Sequence, residues 1–205
     1  MTRKEKDRQF HIISSGQQSW ETFCSITARV HEEVDAIHLR EKKWSASELI
    51  SAISLLSEQG VPLRKIIVNE RIDVAHMMRT KGVQLAYHAA PPSMVRRTFP
   101  NLQIGCSVHS LAHAVQAETM GADWLLYGHV FPTDSKPGIP ARGLSLLFDM
   151  VEHVSIPVIA LGGVTPENTE EVMATGVAGI AVLSGVFLAQ DPLIAAKEYR
   201  NKLMI

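Results

Sequence analysis

One short stretch of the chain carries a chemically versatile set of side chains: Tyr127, Gly128, His129, Val130, Phe131, Pro132, Thr133, Asp134, Ser135 and Lys136. It follows Ala122-Asp123-Trp124-Leu125-Leu126, an apolar run of the kind a buried strand requires. After it come Pro137, Gly138, Ile139 and Pro140, which neither continue a strand nor open a helix interior. A strand therefore runs to about Tyr127 and releases a long loop whose first ionisable group is His129. Imidazole titrates near neutral pH and is suited to moving protons. His129 is either such an acid–base group or a packed residue at a strand end. If the strand belongs to a parallel sheet, its carboxyl end is where chemistry is usually placed.

The elements that position this loop alternate along the whole chain. Phe10-His11-Ile12-Ile13 reads as a strand, and residues 19–34 place Trp20, Phe23, Ile26 and Val30 at helical spacing. Ala36-Ile37-His38-Leu39-Arg40 is a second strand, with Ala36, His38 and Arg40 on one face. Ser45 and Glu48 form a capping box for a helix that stops at Gly60. Strands follow at residues 65–69, 83–86, 102–107, 124–127, 157–161 and 179–183, with helices between them. Among those, a helix opens at Thr165 with Pro166 in its first position, and the last one runs from about 192 to 203. Eight β-then-α units, with strands apolar on both faces, predict a compact α/β (β/α)₈ barrel, the TIM-barrel class, as one domain over 1–205. The rival architecture is an open doubly wound sheet, which does not need eight strands.

Composition excludes several classes. With 205 residues and 46% hydrophobic content the chain can bury a large core, and a net charge of −1 argues against nucleic acid as a partner. Cys24 and Cys106 make no disulfide framework and fit a reducing, cytoplasmic setting. The charged N-terminus lacks the apolar segment of a signal peptide, and no apolar run is long enough to span a membrane.

The strand ends gather the candidate site. Strand two supplies His38, Arg40, Glu41 and Lys42, strand three Asn69 and Glu70, strand four Tyr87 and His88, strand five Ser107 and His109. Gly162-Gly163 and Ser184-Gly185 follow strands seven and eight, where this fold commonly binds phosphate on backbone N–H groups. The alternative is a pair of tight turns. Nine histidines invite a metal reading, but Ser110 reads as an N-cap between His109 and His113, and no Cys or clustered Asp completes a zinc set. No metal and no cofactor is expected.

The pieces Ile37 to Lys42, Val68 to Ala75, Ile104 to His109, Gly128 to Lys136, Ile159 to Val164 and Val182 to Gly185 together resemble the thiamin phosphate synthase superfamily over nearly the whole chain. The resemblance implies the barrel, a role in thiamin biosynthesis and a phosphorylated thiazole as ligand, and leaves a homo-oligomer open. Synthases hold Mg²⁺ with an Asp after the strand-three Asn and another after strand four; here stand Glu70 and Tyr87-His88. They carry Pro where His129 stands, and usually Gln where His38 stands.

These departures resemble the TenI-type thiazole tautomerases. That likeness implies an isomerase that aromatises a carboxythiazole phosphate by metal-free proton transfer, with His129 as base and Glu41 as the second acid–base group. It also implies Arg40 on the substrate carboxylate, with Ser107, Phe131, Thr133 and Lys136 lining the ligand and Gly162, Gly163, Ser184 and Gly185 on its phosphate. Three alternatives remain: a thiamin phosphate synthase, a non-catalytic regulatory binder of thiazole or thiamin phosphate, and another phosphate-binding barrel isomerase or lyase, which would share the Gly turns but not Arg40-Glu41-Lys42 and Gly128 to Lys136.

Overall fold

The computed structural model describes residues 8–204. The charged N-terminal stretch read above lies, through residue 7, outside the described residues. Eight parallel strands close into a barrel in sequence order. They are β1 (Gln9–Ile13), β2 (Ala36–Leu39), β3 (Ile66–Asn69), β4 (Gly82–Leu85), β5 (Gln103–Val108), β6 (Trp124–Gly128), β7 (Val158–Leu161) and β8 (Gly179–Val182). Closure is made by β1 on β8, with Ile12 opposite Val182. Between them lie α1 (Trp20–Val30), α2 (Ala46–Glu58), α3 (Ile72–Met77), α4 (Pro92–Thr98), α5 (Leu111–Thr119), α6 (Gly143–His153) and α7 (Thr169–Ala174). Two more helices, α8 (Ser184–Phe187) and α9 (Pro192–Leu203), complete the chain.

Strand alternation divides the core in two. Ile12, Ile37, Val68, Val83, Leu125 and Ile180 point outward and pack under the helices. Ile13, Ala36, Ile67, Trp124, Leu126, Ile159 and Ala181 fill the barrel interior. Trp124 is the large interior group, and it fits because β5 offers Gly105 opposite it: a Cβ there would lie 2.2 Å from the indole. The indole N–H donates to Gln84 Oε1 at 3.0 Å, so the buried polar edge is satisfied.

Local signals account for the helix ends. The Ser45–Glu48 capping box is formed at the start of α2, and Gly60 follows its C-cap at φ +87°. Ser110 caps α5 by accepting from His113 N, which keeps His109 off the helix. One expectation is corrected: Pro166 does not begin a helix. Asn168 Oδ1 instead accepts from Thr165 N at 2.8 Å, forming a local turn, and α7 starts at Thr169. The four-residue helix α8 was not expected either, because an isolated single turn has no periodicity to read. No helix among the described residues is long and apolar enough to cross a membrane.

Candidate active site

The carboxyl ends of the strands bring together most of the side chains singled out above. Arg40 leaves β2 with its N–H donating to the buried Ser14 hydroxyl at 2.8 Å, which fixes the strand end. Glu41 lies beside it, accepting from Gly16 N at 3.3 Å across the β1 loop. Arg40, Glu41 and Lys42 share a cleft of about 300 Å³ with Ser15, Gly16 and Trp44. Ser107 sits at the end of β5, where its Oγ accepts from Gln84 Nε2 at 3.1 Å. The hydroxyl proton of Ser107 then remains available for a ligand acceptor.

His129 is placed differently from a group that meets substrate freely. It is 1% exposed, and its Nε2 donates to the Ile139 carbonyl at 3.1 Å. The ring thereby ties the far limb of the loop back to the end of β6, following a cis Gly128–His129 peptide. Its Nδ1 is buried with no hydrogen-bond partner. In the same loop Thr133 is half-buried, its Oγ1 accepting from Ser135 N at 3.3 Å and its carbonyl from Lys136 N at 3.0 Å. Phe131 N donates to the Gly162 carbonyl at 3.0 Å, joining the β6 and β7 ends.

Gly162 and Gly163 both adopt positive φ, +92° and +70°. A Cβ on Gly162 would come within 2.3 Å of His129 Cβ, and one on Gly163 within 2.6 Å of the Pro132 carbonyl oxygen. Close packing of this turn on the His129 loop is therefore one reason for glycine here. The turn at Ser184-Gly185 opens α8, so both residues belong to the first turn, where N–H groups precede the intrahelical ladder.

Arg142 is the residue the sequence reading missed. Its Nε donates to the Gly128 carbonyl at 3.1 Å and its Nη1 to the His109 carbonyl at 2.8 Å, clamping the ends of β5 and β6 together. Only its place just before α6 was visible in sequence, inside a Pro/Gly-rich loop. The clamp puts a fixed cation at the mouth. Lys136 lies close enough to feel it: burial lowers the Lys136 ammonium pKa, and Arg142 and Arg40 lower it further. His109 is likewise pushed down, first by burial and then by Lys136 and Arg142, while its contact with the Gly128 carbonyl opposes the shift. Three cations thus converge on one rim, an arrangement suited to a multiply charged anion.

The Mg²⁺ that the resemblance implies finds a poor donor set. Mg²⁺ takes oxygen ligands in octahedral geometry, with carboxylates as anchors. Among the described residues Glu70 is the one carboxylate directly at the ends of β3 and β4, and its Oε1 is 3.3 Å from His88 Nε2, a nitrogen partner. Among the described residues no three His, Cys, Asp or Glu side chains are grouped to hold a metal. The residues present do not fit the ion.

A closed eight-stranded parallel barrel with its polar groups collected at the strand carboxyl ends defines the class: a (β/α)₈ barrel. Within that class, residues 10–186 match the family described as "Thiamine monophosphate synthase", and the chain belongs to it. A thiamine-phosphate synthase of Pyrococcus horikoshii is 47% identical over 98% of this chain and 97% of its own. One from Pyrococcus abyssi is 40% identical over 81% of each. The solved thiamine phosphate pyrophosphorylase of Pyrococcus furiosus superposes with a TM-score of 0.82 at 35% identity, covering 96% of this chain and 95% of that one. A 3-hexulose-6-phosphate synthase, 19% identical with a TM-score of 0.75, shares the fold.

These relatives correct the functional expectation. The expectation of a thiazole tautomerase, an isomerase, is overturned: the similar relatives are named as thiamine-phosphate synthases and are matched over 81%, 97% and 82% of their own length. The departures at Glu70, Tyr87-His88, His129 and His38 carried that expectation, and the similarity of the remaining chain outweighs them. The proton-transfer roles of His129 and Glu41 were attached to that reaction and are withdrawn with it.

Proposed function

We propose that the chain is a thiamine-phosphate synthase, a transferase joining an aminopyrimidine pyrophosphate to a thiazole phosphate with release of pyrophosphate. The observation that carries this reading is the convergence of Arg40, Lys136 and Arg142 at the mouth of a barrel of this family. In the reaction the thiazole nitrogen lone pair forms a bond to carbon while the bond from that carbon to the pyrophosphate oxygen breaks. Negative charge develops on the leaving oxygen, and fixed cations aimed at that charge lower the barrier. Lys136 and Arg40 are the groups for that task. Arg142, held on two carbonyls, positions the rim and adds to its field. Gly162, Gly163, Ser184 and Gly185 then carry the thiazole phosphate on backbone N–H groups, with Ser107 and Phe131 lining the ring slot.

One observation favours a second reading, a non-catalytic binder of the same phosphates. The carboxylate pair that synthases use for Mg²⁺ is replaced here by Glu70 and His88. Incubating the protein with both substrates and resolving thiamin phosphate and pyrophosphate by chromatography separates the two. Formation of both products supports the synthase; binding of thiazole phosphate with no product supports the binder.

A further inference from the structure

Behind the two glycine turns lies a set of hydrogen bonds that the reaction above does not use. The carbonyls of four successive residues, Leu161 to Val164, are each taken. Leu161 O accepts from Val130 N and Gly162 O from Phe131 N, both at 3.0 Å. Gly163 O accepts from Asn168 Nδ2 at 2.9 Å, and Val164 O from the Tyr199 hydroxyl at 3.0 Å. In a trans peptide the N–H of the next residue points opposite to the carbonyl, so partners that fix these carbonyls also fix the N–H groups that follow. The Thr165 N–H is spent on Asn168 Oδ1 at 2.8 Å. Those of Gly162, Gly163 and Val164 have no acceptor among the described residues. Three successive free N–H groups, on a backbone turned by Gly162 at φ +92° and Gly163 at φ +70°, make a concavity for an anion.

Tyr199 reaches this turn from the last helix, α9. It is 3% exposed, and its ring packs on Phe10 of β1 with centroids 5.5 Å apart. Burial, then Glu167 and Glu198, push its hydroxyl up to about 12, so it stays a donor at neutral pH. The same oxygen meets the second turn. A Cβ on Gly185 would lie 2.3 Å from Tyr199 Oη and 3.0 Å from Cζ. Gly185 does not have a positive φ, so its missing side chain answers to this contact and not to an unusual backbone conformation. One phenol oxygen therefore bonds the first turn and lies tight against the second.

We propose that Tyr199 and Asn168 are positioning residues for a phosphate group: they hold the Val164 and Gly163 carbonyls back so that the N–H groups of Gly162, Gly163 and Val164 stay free, and the Tyr199 phenol sets the spacing between that turn and Ser184-Gly185. Neither side chain touches the ligand. That the ligand is a thiazole phosphate rests on the function proposed above. The positioning itself belongs to the fold, and inorganic phosphate is enough to report on it.

Inorganic phosphate is titrated into ¹⁵N-labelled protein and followed residue by residue in ¹H–¹⁵N spectra. The wild-type amide signals of Gly162, Gly163 and Val164 are expected to move together, with a midpoint read apart from any change near Lys136. Tyr199→Phe, which removes only the hydroxyl, is expected to raise the dissociation constant at those amides about 5- to 10-fold. If that variant fails to fold, Asn168→Ala carries the same test at the Gly163 carbonyl. Wild-type amides that do not respond, or a constant unchanged in the variant, overturn the proposal. The shared oxygen gives a second reading. Gly185→Ala is expected to weaken phosphate binding, and adding Tyr199→Phe to it is expected to cost nothing further; losses that add overturn the spacing role. Steady-state kinetics separates the positioning from the reaction it serves. In Tyr199→Phe the KM for thiazole phosphate should rise by the same factor, with kcat and the aminopyrimidine KM within about twofold of wild type. Thiamin phosphate formed with an unchanged thiazole phosphate KM overturns the positioning and leaves the reaction. A weakened phosphate site in a protein that forms no thiamin phosphate overturns the reaction and leaves the positioning.

Discussion

His129 Nε2 and the Ile139 carbonyl meet at 3.1 Å, so the loop that leaves β6 is pinned back to its own origin by the residue that starts it. Lys136 lies inside that closed loop, and its backbone is held by Thr133. His129→Ala removes the pin and leaves the carbonyl unpaired. The expected outcome is a rise of roughly 5–30-fold in KM for the aminopyrimidine pyrophosphate, from about 1–2 kcal/mol of lost loop order, with kcat changing less. Steady-state kinetics checks it. A loss confined to kcat would show His129 acting on the reacting atoms.

Lys136→Met removes a charged contact worth about 1.5–3 kcal/mol. Affinity for inorganic pyrophosphate is therefore expected to fall about 10- to 100-fold, read by calorimetry. In the wild type the ammonium pKa is lowered by burial and then by Arg142 and Arg40, so the cation is lost on the alkaline side earlier than for an ordinary lysine. Pyrophosphate binding should weaken as pH rises, and Arg142→Met should move that limb to higher pH. A limb that stays in place would separate Arg142 from Lys136.

His11 Nδ1 lies 3.0 Å from His38 Nε2 inside the barrel, and this pair makes a stability prediction. His38 is held down to about 3, by burial first, then by the Lys81 cation, with Asn69 opposing; His11 is also well below its ordinary value. The unfolded chain takes up protons at these sites below about pH 6.5, and the folded chain does not. Stability is thus full above about pH 6.5 and falls as pH drops toward the folded values. The expected slope is about 1.4 kcal/mol per pH unit for each ring. Urea denaturation at pH 7 and pH 5 measures it, and His38→Gln should reduce the slope by about half. A wild-type stability unchanged between those pH values would contradict buried, neutral rings.

Gly162→Ala places a Cβ 2.3 Å from His129 Cβ at a φ of +92°. The backbone strain and the overlap together are expected to cost about 2–5 kcal/mol. Thermal or urea unfolding reads this directly. A change below about 0.5 kcal/mol would mean that the β6 and β7 loops are not packed as described.

Much of the fold was legible because it is written locally. The alternation in Ala36-Ile37-His38-Leu39 separates two faces as expected, and the barrel places Ala36 inside and Ile37 and Leu39 outside. The capping box at Ser45 and Glu48 formed, and α9 ends where the pattern does. What failed to show depends on distant partners. Nothing near Arg142 reveals that it reaches the carbonyls of His109 and Gly128. Nothing near His129 reveals that Ile139 returns to it. The interior pairing of His11 with His38 follows only from the register that sets His11 opposite Ala36 and Ile13 opposite His38. The expected reaction failed for a related reason: the departures at Glu70, Tyr87-His88, His129 and His38 are local, and their chemical weight depends on surroundings the sequence does not show.

The most direct test of the central claim is product analysis with purified protein, aminopyrimidine pyrophosphate and thiazole phosphate. The account expects thiamin phosphate and pyrophosphate in equal amounts, with the yield falling in Lys136→Met. Tight binding of thiazole phosphate with no thiamin phosphate formed, at any concentration of the aminopyrimidine substrate, would contradict it.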